Sequence, residues 1–114
     1  MRLINQTKNT ILAETVYFAD TPCKRIKGLL GRKNFASGEA LIIKPCNAVH
    51  TFFMRFPIDL LFVDKTNKVL KVISNLTPFR LSPVYFRSCL VVELPAGRAK
   101  STFTSQGDQL VFSP

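Results

Sequence analysis

A chain of 114 residues, 46% hydrophobic and 20% charged, has the size of one globular domain and is too short for two. No apolar run approaches the roughly 20 residues of a bilayer-spanning helix, and Met1-Arg2-Leu3-Ile4-Asn5 leads into polar residues instead of a signal-peptide core, so one cytoplasmic domain over residues 1–114 is expected, without a membrane span. Lys and Arg number 16 against 7 Asp and Glu, a net charge of +9, which raises association with nucleic acid, an anionic surface or an acidic partner but specifies no reaction.

In chain order, residues 10–18 form the first short run rich in Val, Ile, Leu and Phe and are read as a strand. Thr21 can then cap a helix with Pro22 at its first position; Cys23, Ile26, Leu29 and Leu30 recur on one face, and Gly31 ends it. Lys24, Arg25 and Lys27 fall on the outer face, so the basic cluster that continues to Arg32 and Lys33 is explained by amphipathicity before nucleic acid is invoked. Residues 39–43, 49–54 and 58–63 read as further strands, and 68–74 pairs with 58–63 through the polar loop Asp64-Lys65-Thr66-Asn67, a hairpin. Leu76 to Phe86 carries three turn-forming residues among aromatics, the pattern of a mobile loop, a lid or a partner-binding edge. Residues 88–94 are a strand stopped by Pro95-Ala96-Gly97, residues 98–102 a helical turn, and 109–112 a last strand opened by Gly107-Asp108. The fold expected is a mainly β single domain, a compact barrel or sandwich with one short N-terminal amphipathic helix.

Cys23, Cys46 and Cys89 are odd in number and widely spaced, so they read as reduced thiols, and no close-spaced ligand pair supports a metal. Neither metal nor cofactor is expected. Phe52, Phe53, Phe56, Phe62, Phe79 and Phe86 lie among bases and could stack on nucleic acid, but with no Trp and only two Tyr the pattern suits a core better.

The stretch 46–64 embeds polar groups in apolar surroundings. His50-Thr51-Phe52, Met54, Pro57-Ile58-Asp59, Phe62 and Asp64 resemble the signature of a bacterial and archaeal family, the domain of unknown function 192. Ala19-Asp20-Thr21 with Arg25, Gly28-Leu29 and Arg32 resembles its opening motif, and Glu93-Leu94-Pro95-Ala96-Gly97 with Gly107-Asp108 its closing one, together spanning about residues 10–112. Leu30 stands where many relatives carry Met, and Gly31 where a larger residue is usual. The resemblance implies a compact, mainly β domain and no established activity, so any site must be argued from chemistry.

His50 is the only histidine, and imidazole is the one side chain whose unperturbed pKa lies near neutrality; the residue could be a hydrogen-bonded structural group, a ligand-binding group or a general base. Cys46, four residues earlier, would lie more than ~10 Å away in an extended strand, which argues against a thiolate–imidazole pair. Arg55-Phe56-Pro57-Ile58 forces a turn that can bring Arg55 and Asp59 toward one rim. There Asp59 could accept hydrogen bonds from Thr51, His50 or Arg55, and Glu93, a carboxylate at the end of a buried strand, could complete the cluster. The candidate ligand-binding set is His50, Thr51, Met54, Arg55, Asp59 and Glu93, in a monomeric module for a small anionic molecule or peptide. Arg55 would hold the anion, His50 and Thr51 would supply hydrogen bonds, Met54 an apolar wall, and Asp59 and Glu93 would orient the rest. The alternatives are a hydrolase-like enzyme using His50 as base and a basic module for nucleic acid.

Overall fold

The structure, a computed structural model, describes residues 1–19, 35–51 and 54–114. Its strands are β1 (Arg2–Asn5), β2 (Thr10–Ala13), β3 (Thr15–Ala19), β4 (Glu39–Ile43), β5 (Ile58–Val63), β6 (Val69–Leu76), β7 (Leu90–Pro95) and β8 (Leu110–Ser113), with one helical turn, α1 (Arg98–Ser101). They build two open sheets, a three-stranded one in the order β2-β1-β8 and a five-stranded one in the order β3-β4-β7-β5-β6. The architecture is thus sandwich-like; the sheets do not close into the barrel that the sequence left open. Among the described residues no helix is long and apolar enough to cross a membrane.

Two layers of core follow from strand alternation, since successive side chains point to opposite faces. Between the sheets, Leu3, Leu12 and Leu110 of the small sheet pack against Ala40, Ile42, Leu61, Val63, Val92 and Leu94 of the large one. On the other face of the large sheet, Leu41, Ile43, Ile58, Leu60, Phe62 and Val91 are covered by Val49 and Met54, with Phe35, Cys46, Phe56 and Tyr85 packed against them. The interior strands β5 and β7 are therefore buried on both sides, which is why they read as near-continuous apolar runs. Burying each Leu or Ile fully contributes about 1.5–3 kcal/mol, and a carboxylate in such a strand must find a partner or lose its charge.

The run 10–18 is two strands, not one. Glu14 and Thr15 both donate their N–H to the Gly38 carbonyl, at 2.8 and 3.0 Å; there the chain leaves the small sheet as β2 and enters the large sheet as β3. β3 pairs with β4 in parallel, and such a pair needs a crossover of a dozen or more residues. The helix expected from Thr21 to Leu30, its Gly31 end and the basic cluster 24–33 fall in that connection, outside the described residues. β1, which the sequence does not announce, is the centre of the small sheet; it pairs with β2 and β8, and four residues are too few for a periodic signal. The hairpin forms as expected. Asp64 Oδ1 accepts from Thr66 N–H (2.8 Å), Thr66 Oγ1 (2.7 Å) and Lys68 N–H (3.0 Å), and Asn67 supplies the left-handed residue at φ 65°.

Candidate functional site

Asp59 and Glu93 sit on adjacent interior strands, but register sends them to opposite faces. Leu60 lies opposite Glu93 and Asp59 opposite Leu94; residues directly opposite share a face. Asp59 therefore points with Leu94 and Leu61 to the inter-sheet side, and Glu93 with Leu60 and Leu41 to the far side. The structure does not bring these two carboxylates together, since a single step along either strand reverses the face.

Asp59, 0% exposed, accepts from three backbone donors: Asn75 N–H at 2.8 Å on Oδ1, and Gly97 and Ala99 N–H at 3.0 and 2.9 Å on Oδ2. Gly97 occupies the N-cap of α1 with φ 94° and has no side chain to cap with, so Asp59 reaches from β5 to cap the turn in its place. Its third bond holds Asn75, left-handed at φ 55°, beside the β5–β6 irregularity between Ile58 and Leu60. These partners replace the Thr51, His50 or Arg55 bonds expected from sequence. An open hollow of about 560 Å³ lies beside Asp59, lined by Ser74, Asn75, Gly97 and Lys100 among others, but both carboxylate oxygens already serve the backbone.

Glu93 is 3% exposed, and its Oε2 has no hydrogen-bond partner among the described residues. Burial raises its pKa from 4.5 to about 8, because charge in an apolar layer is costly without a compensating donor. At neutral pH the group is a neutral carboxylic acid, able to donate as well as accept.

Among the described residues, those of 46–51 and 54–57 cover the Glu93 face through Cys46, Val49, Met54 and Phe56. The described residues of the strand expected over 49–54 lie in no named strand: His50 makes one isolated bridge, to Leu81, and Met54 N–H bonds back to the Thr51 carbonyl at 3.3 Å. Phe52 and Phe53 are outside the described residues. Met54 is buried in the same layer as Leu41 and Leu60, so of the expected set it shares a face with Glu93. Thr51 is buried and fully engaged: Oγ1 donates to the Thr77 carbonyl at 2.7 Å and accepts from Arg80 N–H at 3.0 Å. His50 and Arg55 are exposed on this covering segment. Thr51→Val keeps the shape but strands the Arg80 N–H and the Thr77 carbonyl, and should cost about 1–2 kcal/mol; an unchanged midpoint in urea denaturation would show that the hydroxyl latches nothing.

Sequence reasoning missed a polar knot under the small sheet. Asn5, 0% exposed, donates Nδ2 to Thr104 Oγ1 (3.0 Å) and to Asp108 Oδ2 (2.9 Å), and Lys8 Nζ reaches the same Oδ2 at 2.9 Å. Burial pushes the Asp108 carboxyl up, but the bonds from Asn5, Lys8 and the Ser105 N–H, with the Lys8 charge, outweigh it and hold the carboxyl below its usual range. The only local signal was Gly107-Asp108; Asn5 lies 103 positions away in sequence, and the contact exists because β1 pairs with β8. Every described member is tied to the fold, so the knot braces it.

A protein of the UPF0127 group from Pyrococcus horikoshii is 32% identical over 95% of this chain and 96% of its own length, and one from Pyrococcus furiosus is 30% identical over 97% of each. A crystal structure of a protein of unknown function from Novosphingobium aromaticivorans superposes with a TM-score of 0.85 at 20% identity, covering 98% of this chain and 84% of that one; at that identity the likeness speaks for the fold. The match to DUF192, described as uncharacterized ACR, runs over residues 3–112. From the first residues of β1 to those of β8, then, the two sheets and both carboxylate-bearing strands lie within the match, and the chain belongs to the DUF192 family.

Proposed function

We infer that this domain is a binding module for a small molecule or peptide end with an anionic group, seated between the described residues of 46–51 and 54–57 and the sheet face that bears Glu93. The observation that carries the reading is the buried, unpartnered Oε2 of Glu93. Such an atom costs about 1–3 kcal/mol, and a core position that an apolar residue could fill keeps that cost where a ligand recovers it. Protonated at neutral pH, Glu93 would donate its O–H to a carbonyl or carboxylate oxygen, with Met54 as apolar wall. Exposed Arg55 and His50 would hold the anionic end at the rim. Thr51 and Asp59, whose polar atoms serve the backbone, would keep the covering segment and β5 in place instead of touching the ligand.

The test is a titration of isotope-labelled protein with a panel of aliphatic and aromatic monocarboxylates, read at the amides of Leu41, Leu60 and Val91 around Glu93. Binding should move these resonances, weaken by about tenfold or more in Arg55→Ala, and weaken as pH rises from neutral toward about 9, where Glu93 loses its proton. Carboxylates that leave all three amides unmoved would remove the basis for this reading.

A further inference from the structure

The loop joining β6 to β7 exposes large apolar side chains to solvent. Leu81 is 69% exposed and Phe86 88%, with Val84 also exposed. Against the expectation of a mobile loop, the backbone beneath them is tied down: Thr51 N–H donates to the Arg80 carbonyl at 2.9 Å, Ser82 N–H to Val49 at 2.8 Å and Tyr85 N–H to Asn47 at 2.9 Å. The Tyr85 ring packs on Phe62 with centroids 4.5 Å apart. The loop therefore presents its apolar side chains outward from a backbone pinned at Arg80, Ser82 and Tyr85.

Along the chain through this loop the charges are basic. From residue 65 to 92 the chain contains Lys65, Lys68, Lys71, Arg80 and Arg87 and no Asp or Glu, all five bases are exposed, and Asp64, just before them, draws on Lys68. Among the described residues the one ion pair is Lys8 with Asp108, far along the chain, so Arg80 and Arg87 are not neutralised by a carboxylate there. Beside them a surface hollow of about 340 Å³ is lined by Leu70, Val84, Tyr85, Phe86 and Arg87, an apolar floor with a cation at its edge.

We propose that residues 79–87 dock this domain on the surface of an anionic phospholipid bilayer, with Phe86, Leu81 and Val84 entering the acyl boundary and Arg80 and Arg87 at the depth of the phosphates. The charge complementarity is that of an interfacial anchor, in which apolar burial and attraction to anionic lipid act together. Aliphatic Leu81 and Val84 offer no ring to stack on a base, which favours hydrocarbon over single-stranded nucleic acid. The proposal rests on this loop alone and is independent of a ligand at Glu93.

The chain has no Trp, so Phe86→Trp creates a single reporter, and Phe103→Trp, at a Phe 71% exposed outside the loop, is its control. With vesicles of phosphatidylcholine containing about one-third phosphatidylglycerol, the emission of Phe86→Trp should shift to the blue and be quenched by brominated acyl chains, while Phe103→Trp stays unchanged. Co-sedimentation of the unmodified chain should fall by about fivefold for each of Arg80→Ala and Arg87→Ala and by at least about tenfold for the double change Leu81→Ser with Phe86→Ser. An unshifted Phe86→Trp spectrum overturns the proposal, as does binding that Leu81→Ser with Phe86→Ser leaves intact, which would mark a merely electrostatic contact. Binding of poly-dT or of an acidic peptide by a chain that ignores the vesicles would reassign the loop to that partner.

Discussion

Glu93→Gln should gain on the unmodified chain as pH rises, by about 1.4 kcal/mol per pH unit between roughly pH 5 and 8, the amount set by one proton. Above pH 4.5 an unfolded chain has released the Glu93 proton, whereas the folded chain keeps it up to about pH 8. Folding therefore takes up a proton across this window. The stability associated with the protonated acid is fully present below the unfolded pKa and is lost as pH rises through the folded one, approaching about 5 kcal/mol in all. Against a total of roughly 5–15 kcal/mol for a domain, that would make the unmodified chain fragile in mild alkali. Gln removes the titration while keeping the shape; its extra N–H adds a cost that does not change with pH, so the slope of the difference is what decides. Urea denaturation of both proteins at several pH values measures it, and a difference that stays flat would mean that Glu93 is not held protonated.

Asp59→Ala should destabilise by about 3 kcal/mol or more, because it orphans the N–H groups of Asn75, Gly97 and Ala99 together. Ala99 is buried, so water does not reach its donor as it does at Asn75 and Gly97. Asp59→Asn should cost less, about 1–3 kcal/mol. Its amide oxygen can replace Oδ2 toward Gly97 and Ala99, but the NH₂ then faces the Asn75 N–H, donor against donor. The order Asp, Asn, Ala in urea midpoint, with unchanged m-value, identifies Asp59 as the cap of α1 and not as a ligand contact. An Ala variant within about 0.5 kcal/mol of the unmodified chain, the spread of ordinary surface changes, would contradict that role.

These two carboxylates mark where a one-dimensional reading stops. The sequence by itself determined the β5–β6 hairpin, because Asp64 to Asn67 carries its own turn chemistry in the Asp64 side-chain bonds and the left-handed Asn67. It determined the end of β7 at Pro95-Ala96-Gly97 and the helical turn after it, since Pro withholds a donor and Gly97 accepts a positive φ. It also determined the family, through residues 46–64 and 93–108. Asp59 and Glu93 could be recognised as buried charges in apolar strands, but not as members of different layers.

Only the tertiary structure decided that. The face a strand residue takes is fixed by register with its neighbours, and the pairing of Leu60 with Glu93 joins positions 33 residues apart in sequence. The same reason explains the split of 10–18 between two sheets, which depends on Gly38 receiving Glu14 and Thr15. It explains as well why Phe62 lies in the core while Phe86, equally apolar, faces outward. Hydrophobicity sets how much a residue gains from burial, and is a local property; whether another layer is there to bury it is a property of the assembled sheets.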